Sequence, residues 1–108
     1  MRVLVELYCS AAPPPVGAPV HVQVRDTALQ DVPAHVLGDV STLVSGSGDL
    51  LARVEVDVPR RGAEPTIWAH IDVDRDGRVS RGDYITTGSY PLPSGSHPRI
   101  RVPVSRVG

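Results

Sequence analysis

The stretch Trp68–Pro91, WAHIDVDRDGRVSRGDYITTGSYP, places an acidic segment between two segments that favour β-structure. β-branched and aromatic residues are frequent in Thr66–Ile71 before the acidic segment and fill Tyr84–Thr87 after it, which is typical of strands. Gly77 directly follows an aspartate, and such a pair is common at the turn of a hairpin. The sequence therefore predicts a strand, a loop and a second strand, which excludes a helix-opening calcium sensor.

The acidic segment matches the calcium-loop pattern D-x-[DN]-x-[DN]-G-x5-E except at its last position, where aspartate replaces glutamate. A calcium ion takes roughly six to eight oxygen ligands, so alternating carboxylates on a tight loop suit it. Glycine at the sixth position permits the sharp turn, because it has no Cβ to clash at positive φ. The sequence therefore predicts a Ca²⁺ site whose contributors are Asp72, Asp74, Asp76, Arg78 and Asp83.

These positions differ in what they offer the metal. Arg78 is expected to contribute only its backbone carbonyl, and Ser80 to bind directly or through a water. Asp83 is shorter than glutamate, so it is less able to bind with both oxygens. His70 lies on the same strand face as Asp72 and is a candidate partner for a ligand. With its final aspartate the loop resembles those of dockerin modules, although these place a helix after the loop. A solvated acidic turn is the alternative interpretation.

Composition bounds the class of protein. The 108 residues predict one domain, spanning positions 1–108, and 41% hydrophobic residues suit a globular chain. The net charge of −1 provides no overall field to attract nucleic acid or an anionic membrane. Cys9 is the only cysteine, so an internal disulfide is excluded and a buried thiol is expected.

The amino terminus, MRVLVELYCSAAPPP, is too short and too polar for the apolar core of a signal peptide. Small residues follow Cys9, whereas a lipoprotein cleavage site needs them before the cysteine. No stretch approaches the ~20 apolar residues of a membrane-spanning helix. As written, the chain is expected to be cytoplasmic, without a transmembrane segment.

Alternating apolar and polar residues predict an all-β fold. A period of two residues marks five segments outside the acidic hairpin. These segments are Arg2–Tyr8, Val20–Arg25, His35–Val44, Leu50–Val58 and Arg99–Val104. With the hairpin they give about seven short strands, which favours a single small β-sandwich or a Greek-key barrel. Within Leu50–Val58 the even-numbered residues are expected to face inward, and Trp68 is the largest candidate for the core.

Two segments resemble the YbaY/YscW-like domain. In APVHVQVRDTALQDVPAHVL a valine-rich strand leads into a D-x-S-L-x-D-x-P-A-like connection. The matching residues are Val20, Val22, Val24, Asp26, Leu29, Asp31, Pro33 and Ala34. The second segment matches through Ile67, Ala69, Ile71, Gly77 and Tyr90-Pro91-Leu92. The resemblance implies a small β-sandwich. Members of this family are lipoproteins, and the type III secretion member assists an outer-membrane secretin.

This chain departs from that family in having no lipobox and in carrying a full calcium loop where a simpler D-G turn is usual. The expected function is therefore a non-enzymatic, calcium-binding domain with a structural or pilotin-like protein-interaction role. A small hydrolase or ligand-binding protein on a transthyretin-like sandwich is the alternative. Arg81-Gly82-Asp83 spells an adhesion tripeptide, but the metal site needs Asp83. A protein partner is possible, and the sequence does not determine the oligomeric state.

Overall fold

The computed structural model describes residues 1–27, 35–46, 50–59 and 64–108, and within these ranges the chain forms eight β-strands. The strands are β1 Arg2–Tyr8, β2 Pro19–Asp26, β3 His35–Leu43, β4 Ala52–Asp57, β5 Pro65–Ile71, β6 Tyr84–Ile85, β7 Arg99–Pro103 and β8 Ser105–Arg106. The predicted all-β fold is confirmed. β8 is additional to the predicted strands, and β6 is shorter than the segment Tyr84–Thr87.

The strands form two sheets. The first has the order β4-β1-β7, in which β1 is antiparallel to β4 and parallel to β7. The second has the order β3-β2-β5-β6-β8, and all of its neighbouring strands are antiparallel. β7 and β8 follow one another in the chain but belong to different sheets, so the carboxy-terminal segment links the two layers.

The core lies between the two sheets and is built mainly from valine. On β1 and β2 every second residue is fully buried, as the period of two predicts. These residues are Val3, Val5, Leu7, Val20, Val22 and Val24. Each buried aliphatic side chain contributes about 1.5–3 kcal/mol to folding. The extent of the domain over residues 1–108 stays a prediction, because three segments lie outside the described ranges.

Two predicted core positions are wrong. Leu50 is 37% exposed whereas Leu51 is completely buried, because Leu51 precedes β4 and does not follow the alternation of the strand. Trp68 lies on the outer face of the second sheet, where the guanidinium of Arg25 lies 3.9 Å from the centre of its ring. Cys9 is buried, as expected.

Gly38 lies where the edges of the two sheets are in close contact. A Cβ at this position would lie 2.7 Å from the carbonyl oxygen of Asp57 and 2.9 Å from a methyl carbon of Val56. β3 therefore passes directly against β4 at a point that only glycine permits. No helix in the described ranges is long and apolar enough to cross a membrane.

Candidate metal centre

The acidic loop connects β5 to β6 and is tied to the sandwich at both ends. The amide of Asp72 donates to the carbonyl of Pro19, at the start of β2, over 2.9 Å. At the other end, Gly82 donates to Val107 over 2.7 Å, and Val107 donates back to Asp83 over 2.8 Å. These bonds fix the loop against the beginning of β2 and the residue that follows β8.

The predicted metal ligands converge within this loop. Asp72, Asp74, Asp76 and Asp83 each present a carboxylate oxygen, and these four oxygens all lie within 4.8 Å of one another. Arg78, the fifth predicted contributor, follows the turn and is exposed. The structure therefore brings together the four side chains that the spacing selected.

Backbone hydrogen bonds to the aspartates shape the turn. Asp72 accepts hydrogen bonds from the amides of Asp76, at 3.3 Å, and Gly77, at 2.8 Å. Asp76 in turn accepts a bond from the amide of Arg78 at 2.9 Å. Gly77 has a φ of 78°, in the left-handed region that glycine adopts without a steric penalty. The expected role of Gly77 in the turn is confirmed.

Asp83 is completely buried, and the acceptor sites of one of its two carboxylate oxygens are filled by hydrogen-bond donors. Its Oδ2 accepts hydrogen bonds from His70 Nε2 at 2.8 Å and the Ser80 amide at 3.1 Å. The Ser80 hydroxyl lies 3.3 Å from Oδ2, but its one hydrogen is shared with the closer carboxylate of Asp74. Its Oδ1 accepts a single bond, from the amide of Val73 at 2.9 Å. Since each carboxylate oxygen offers two acceptor sites, Oδ1 is the atom with capacity left for a metal.

Two opposing effects act on the ionisation of Asp83. Burial raises the pKa of the carboxyl, but hydrogen bonds from His70 and from the amides of Ser80 and Val73 lower it further than burial raises it. The net effect is a pKa below the ordinary value, so the carboxylate is stabilised in its charged form. The adhesion tripeptide is thereby excluded as an accessible ligand, because its aspartate is enclosed in the protein.

His70 is the residue that the strand parity identified as a partner for the site. Its side chain is 7% exposed and reaches Asp83 across the hairpin, so His70 does contact one of the predicted ligands, while the role of that residue as a ligand stays a prediction. Ser80 is expected to bind the metal directly or through a water. In the structure its hydroxyl donates to Asp74 at 2.8 Å and lowers the pKa of that carboxyl.

A shallow pocket of about 180 Å³ opens beside the loop. It lies on the outer face of the second sheet, next to Trp68, whose ring is 5.8 Å from that of His70. The residues that line it are Pro19, Val20, His21, Ser41, His70, Asp72 and Gly77. His70, but not Asp83, therefore borders a pocket that opens to solvent beside the acidic loop.

A solved structure has the same fold as this chain. It is described as the structure of an alternative pilotin from the type II secretion system of Vibrio cholerae. The two chains superpose with a TM-score of 0.77 and 18% sequence identity, over 100% of this chain and 97% of the other. The chain has a pilotin-like fold.

Comparisons of sequence identify no relative of this chain. No family model matches the chain, and no curated protein matches it significantly. The residues that carry the YbaY/YscW-like resemblance lie partly on β2 and β5. Four of them, Leu29, Asp31, Pro33 and Ala34, lie outside the described residues.

Proposed function

We propose that this chain is a non-enzymatic, calcium-binding β-sandwich protein that acts on a protein partner in the manner of a pilotin. The observation that carries the calcium assignment is the convergence of four carboxylate oxygens within 4.8 Å of one another. All of these donors are hard oxygens, the ligand type that Ca²⁺ prefers.

The ligand set consists of Asp72, Asp74 and Asp76, the backbone carbonyl of Arg78 and one oxygen of Asp83, completed by water. Calcium supplies positive charge that offsets the repulsion of the clustered carboxylates. Arg75, Arg78 and Arg81 reduce the loop charge to −1, so the affinity is expected between about 10⁻⁶ and 10⁻³ M. At a hundredfold excess over Kd, calcium stabilises the fold by about 2.7 kcal/mol.

The pilotin-like fold supports a partner-binding role. The structural neighbour is a pilotin of a secretion system, and the YbaY/YscW-like resemblance independently implies an assistant of an outer-membrane secretin. Because the loop is bonded to Pro19 and Val107, calcium would fix the surface where β2 begins and the chain ends. The cytoplasmic location expected from the amino terminus conflicts with an outer-membrane partner, and cell fractionation decides between them.

Hydrogen bonding in the site weighs against the hydrolase alternative. Ser80, His70 and Asp83 lie together, but the Ser80 hydroxyl bonds to the carboxylates of Asp74 and Asp83. A nucleophilic serine instead needs a hydrogen bond to the base that takes its proton. His70 is occupied with Asp83, so this cluster holds a loop in place and does not activate a hydroxyl.

Calorimetric titration of chelator-stripped protein with CaCl₂ tests the metal assignment. We expect one equivalent to bind, with a rise in melting temperature, and both effects to be lost in Asp72→Ala and Asp76→Ala. Asp57→Asn is the matched control, because Asp57 is exposed and lies outside the loop. Wild-type affinity in either loop variant would overturn the ligand assignment.

The partner role is tested with the purified secretin of the same organism, by biolayer interferometry in calcium and in chelator. Binding that weakens in chelator and in Asp76→Ala supports a calcium-dependent interaction. Binding that is equal in both conditions assigns the metal a purely structural role. If the protein does not bind the secretin in either condition, the proposed pilotin-like function is overturned, but the calcium assignment is not.

A further inference from the structure

His70, Asp72 and Asp83 form a second group of potential metal ligands, which differs from the calcium set by its imidazole. Each of the three residues presents a ligand atom, and these atoms lie within 4.8 Å of one another. His70 and Asp83 are buried, and Asp72 is partly exposed. One histidine and two carboxylates are ligands that zinc accepts and that calcium sites rarely combine.

The His70–Asp83 hydrogen bond holds an imidazole nitrogen and a carboxylate oxygen side by side, closer together than two ligands of one zinc ion. In a tetrahedral site with ligands at about 2.0–2.1 Å from zinc, two ligand atoms lie about 3.3 Å apart. His70 Nε2 and Asp83 Oδ2 are 2.8 Å apart with a hydrogen between them. A zinc ion takes the place of that hydrogen if the two atoms separate by about half an ångström. Oδ2 then exchanges its bond from His70 for a bond to zinc, whereas Oδ1 is the oxygen that is free for calcium without displacing His70.

The pocket beside the loop provides access and an open coordination position. His70 and Asp72 both line it, so an ion bound to them faces solvent on that side. Three protein ligands and one water is the arrangement of zinc sites that retain an open position. Across the pocket lies His21, the cross-strand neighbour of His70, which is bonded to Asp39 and lies outside the three-residue group.

We propose that His70, Asp72 and Asp83 bind a borderline divalent cation of the zinc type, with water from the adjoining pocket as the fourth ligand. This site goes beyond the calcium function and does not depend on it. It shares Asp72 and Asp83 with the calcium set, so the two cations exclude each other. Asp74 and Asp76 serve calcium alone.

Titration of metal-free protein with ZnCl₂ tests this assignment, with calorimetry and Trp68 emission as readouts. Trp68 is the only tryptophan in the chain, and its ring lies 5.8 Å from that of His70. We expect one equivalent of zinc to bind with a change in emission. His70→Gln should weaken zinc binding by about tenfold or more, since even the loss of a supporting partner has an effect of that size.

Two matched variants separate this group from the other acids and histidines. Asp76→Asn removes a calcium ligand and His21→Gln removes the neighbouring imidazole, and both should retain zinc affinity within about twofold. Equal loss in His70→Gln and His21→Gln would overturn the assignment in favour of a surface histidine pair. Equal loss in His70→Gln and Asp76→Asn would assign zinc to the acidic loop instead.

If His70→Gln does not fold, Asp72→Asn replaces it in the titration, because Asp72 lies outside the core. The Asp72→Asn variant should lose the binding of both zinc and calcium. Wild-type zinc affinity in Asp72→Asn, or no zinc binding by the wild-type protein, would overturn the proposal. In the wild-type protein, saturating calcium should weaken zinc binding if both sites form. If the protein binds zinc but not calcium, only the proposed calcium function is overturned. If it binds calcium but not zinc, only the proposed zinc site is overturned.

Discussion

His70 Nε2 lies 2.8 Å from Asp83 Oδ2, and the side chains of the pair are only 7% and 0% exposed. The contact joins β5 to the residue that precedes β6, so it closes the base of the acidic loop. Asp83 also accepts hydrogen bonds from the backbone amides of Val73 and Ser80. The last residue of the loop is therefore a structural acceptor as well as a candidate ligand.

Replacing Asp83 with asparagine should destabilise the fold even without metal. The amide group would direct two donors into an environment that already supplies donors from His70, Val73 and Ser80. An unsatisfied buried polar group costs about 1–3 kcal/mol, and more where a charged partner is lost. We expect a loss of about 2–4 kcal/mol in the free energy of unfolding, measured by urea denaturation in chelator.

Asp76→Asn is the control for this prediction. Asp76 is exposed, so the same change of carboxylate to amide should alter the stability of the metal-free protein by less than about 0.5 kcal/mol. Equal losses in the two variants would show that the effect arises from loop charge and not from the buried acceptor.

Leu50 and Leu51 provide a matched test of which residue enters the core. Leu51 is completely buried and Leu50 is 37% exposed. Truncating a buried leucine to alanine costs about 2–5 kcal/mol, through lost burial and the cavity that remains. We expect Leu51→Ala to lose about 3 kcal/mol in urea unfolding and Leu50→Ala to lose less than about 1 kcal/mol. A larger loss of stability in Leu50→Ala than in Leu51→Ala would support the alternation that the sequence suggests.

This pair also shows where sequence patterns stop being informative. Alternation located the long strands, because one buried face forces a period of two, as on β2. It failed at Leu51, which is buried before β4 begins and whose backbone amide donates a hydrogen bond to the carbonyl of Leu7 at 2.8 Å. The expectation that Trp68 would enter the core came from its size and was also wrong, because its ring contacts Arg25 on the outer face. Both outcomes depend on contacts between distant segments.

The acidic loop was more predictable than the core because its geometry is local. The spacing of its aspartates and the position of Gly77 follow from the turn itself. The parity of the strand also indicated His70 as a neighbour. In contrast, the four donors around Asp83 come from β5, from Ser80 and from the start of the loop. Their convergence requires the folded hairpin, which no pattern of residues specifies.

Gly38→Ala should destabilise the contact between the sheet edges. A Cβ would lie 2.7 Å from the backbone oxygen of Asp57, and backbone cannot move away as a flexible side chain can. Overpacking of this kind typically costs about 1–3 kcal/mol. We expect a lower melting temperature in Gly38→Ala and an unchanged one in Gly108→Ala, whose added methyl group would meet no atom within 4 Å. An unchanged melting temperature in both would contradict the close passage of β3 against β4.

Asp39 provides a pH-dependent test on the outer face of the second sheet, at a carboxyl that is not part of the acidic loop. Burial raises the pKa of this carboxyl, but hydrogen bonds from His21 and Gln23 and the charge of His21 lower it below the ordinary value. A group whose pKa is lower in the folded state stabilises the fold above its unfolded pKa and loses that effect as pH falls through the folded value. His21→Gln should therefore raise the pKa of Asp39 towards its ordinary value, whereas His97→Gln should not, because His97 bonds to Ser96 in another part of the chain. Carboxyl-carbon NMR between pH 2 and 6 measures the shift, and an unchanged pKa in His21→Gln would show that Gln23 alone sets it.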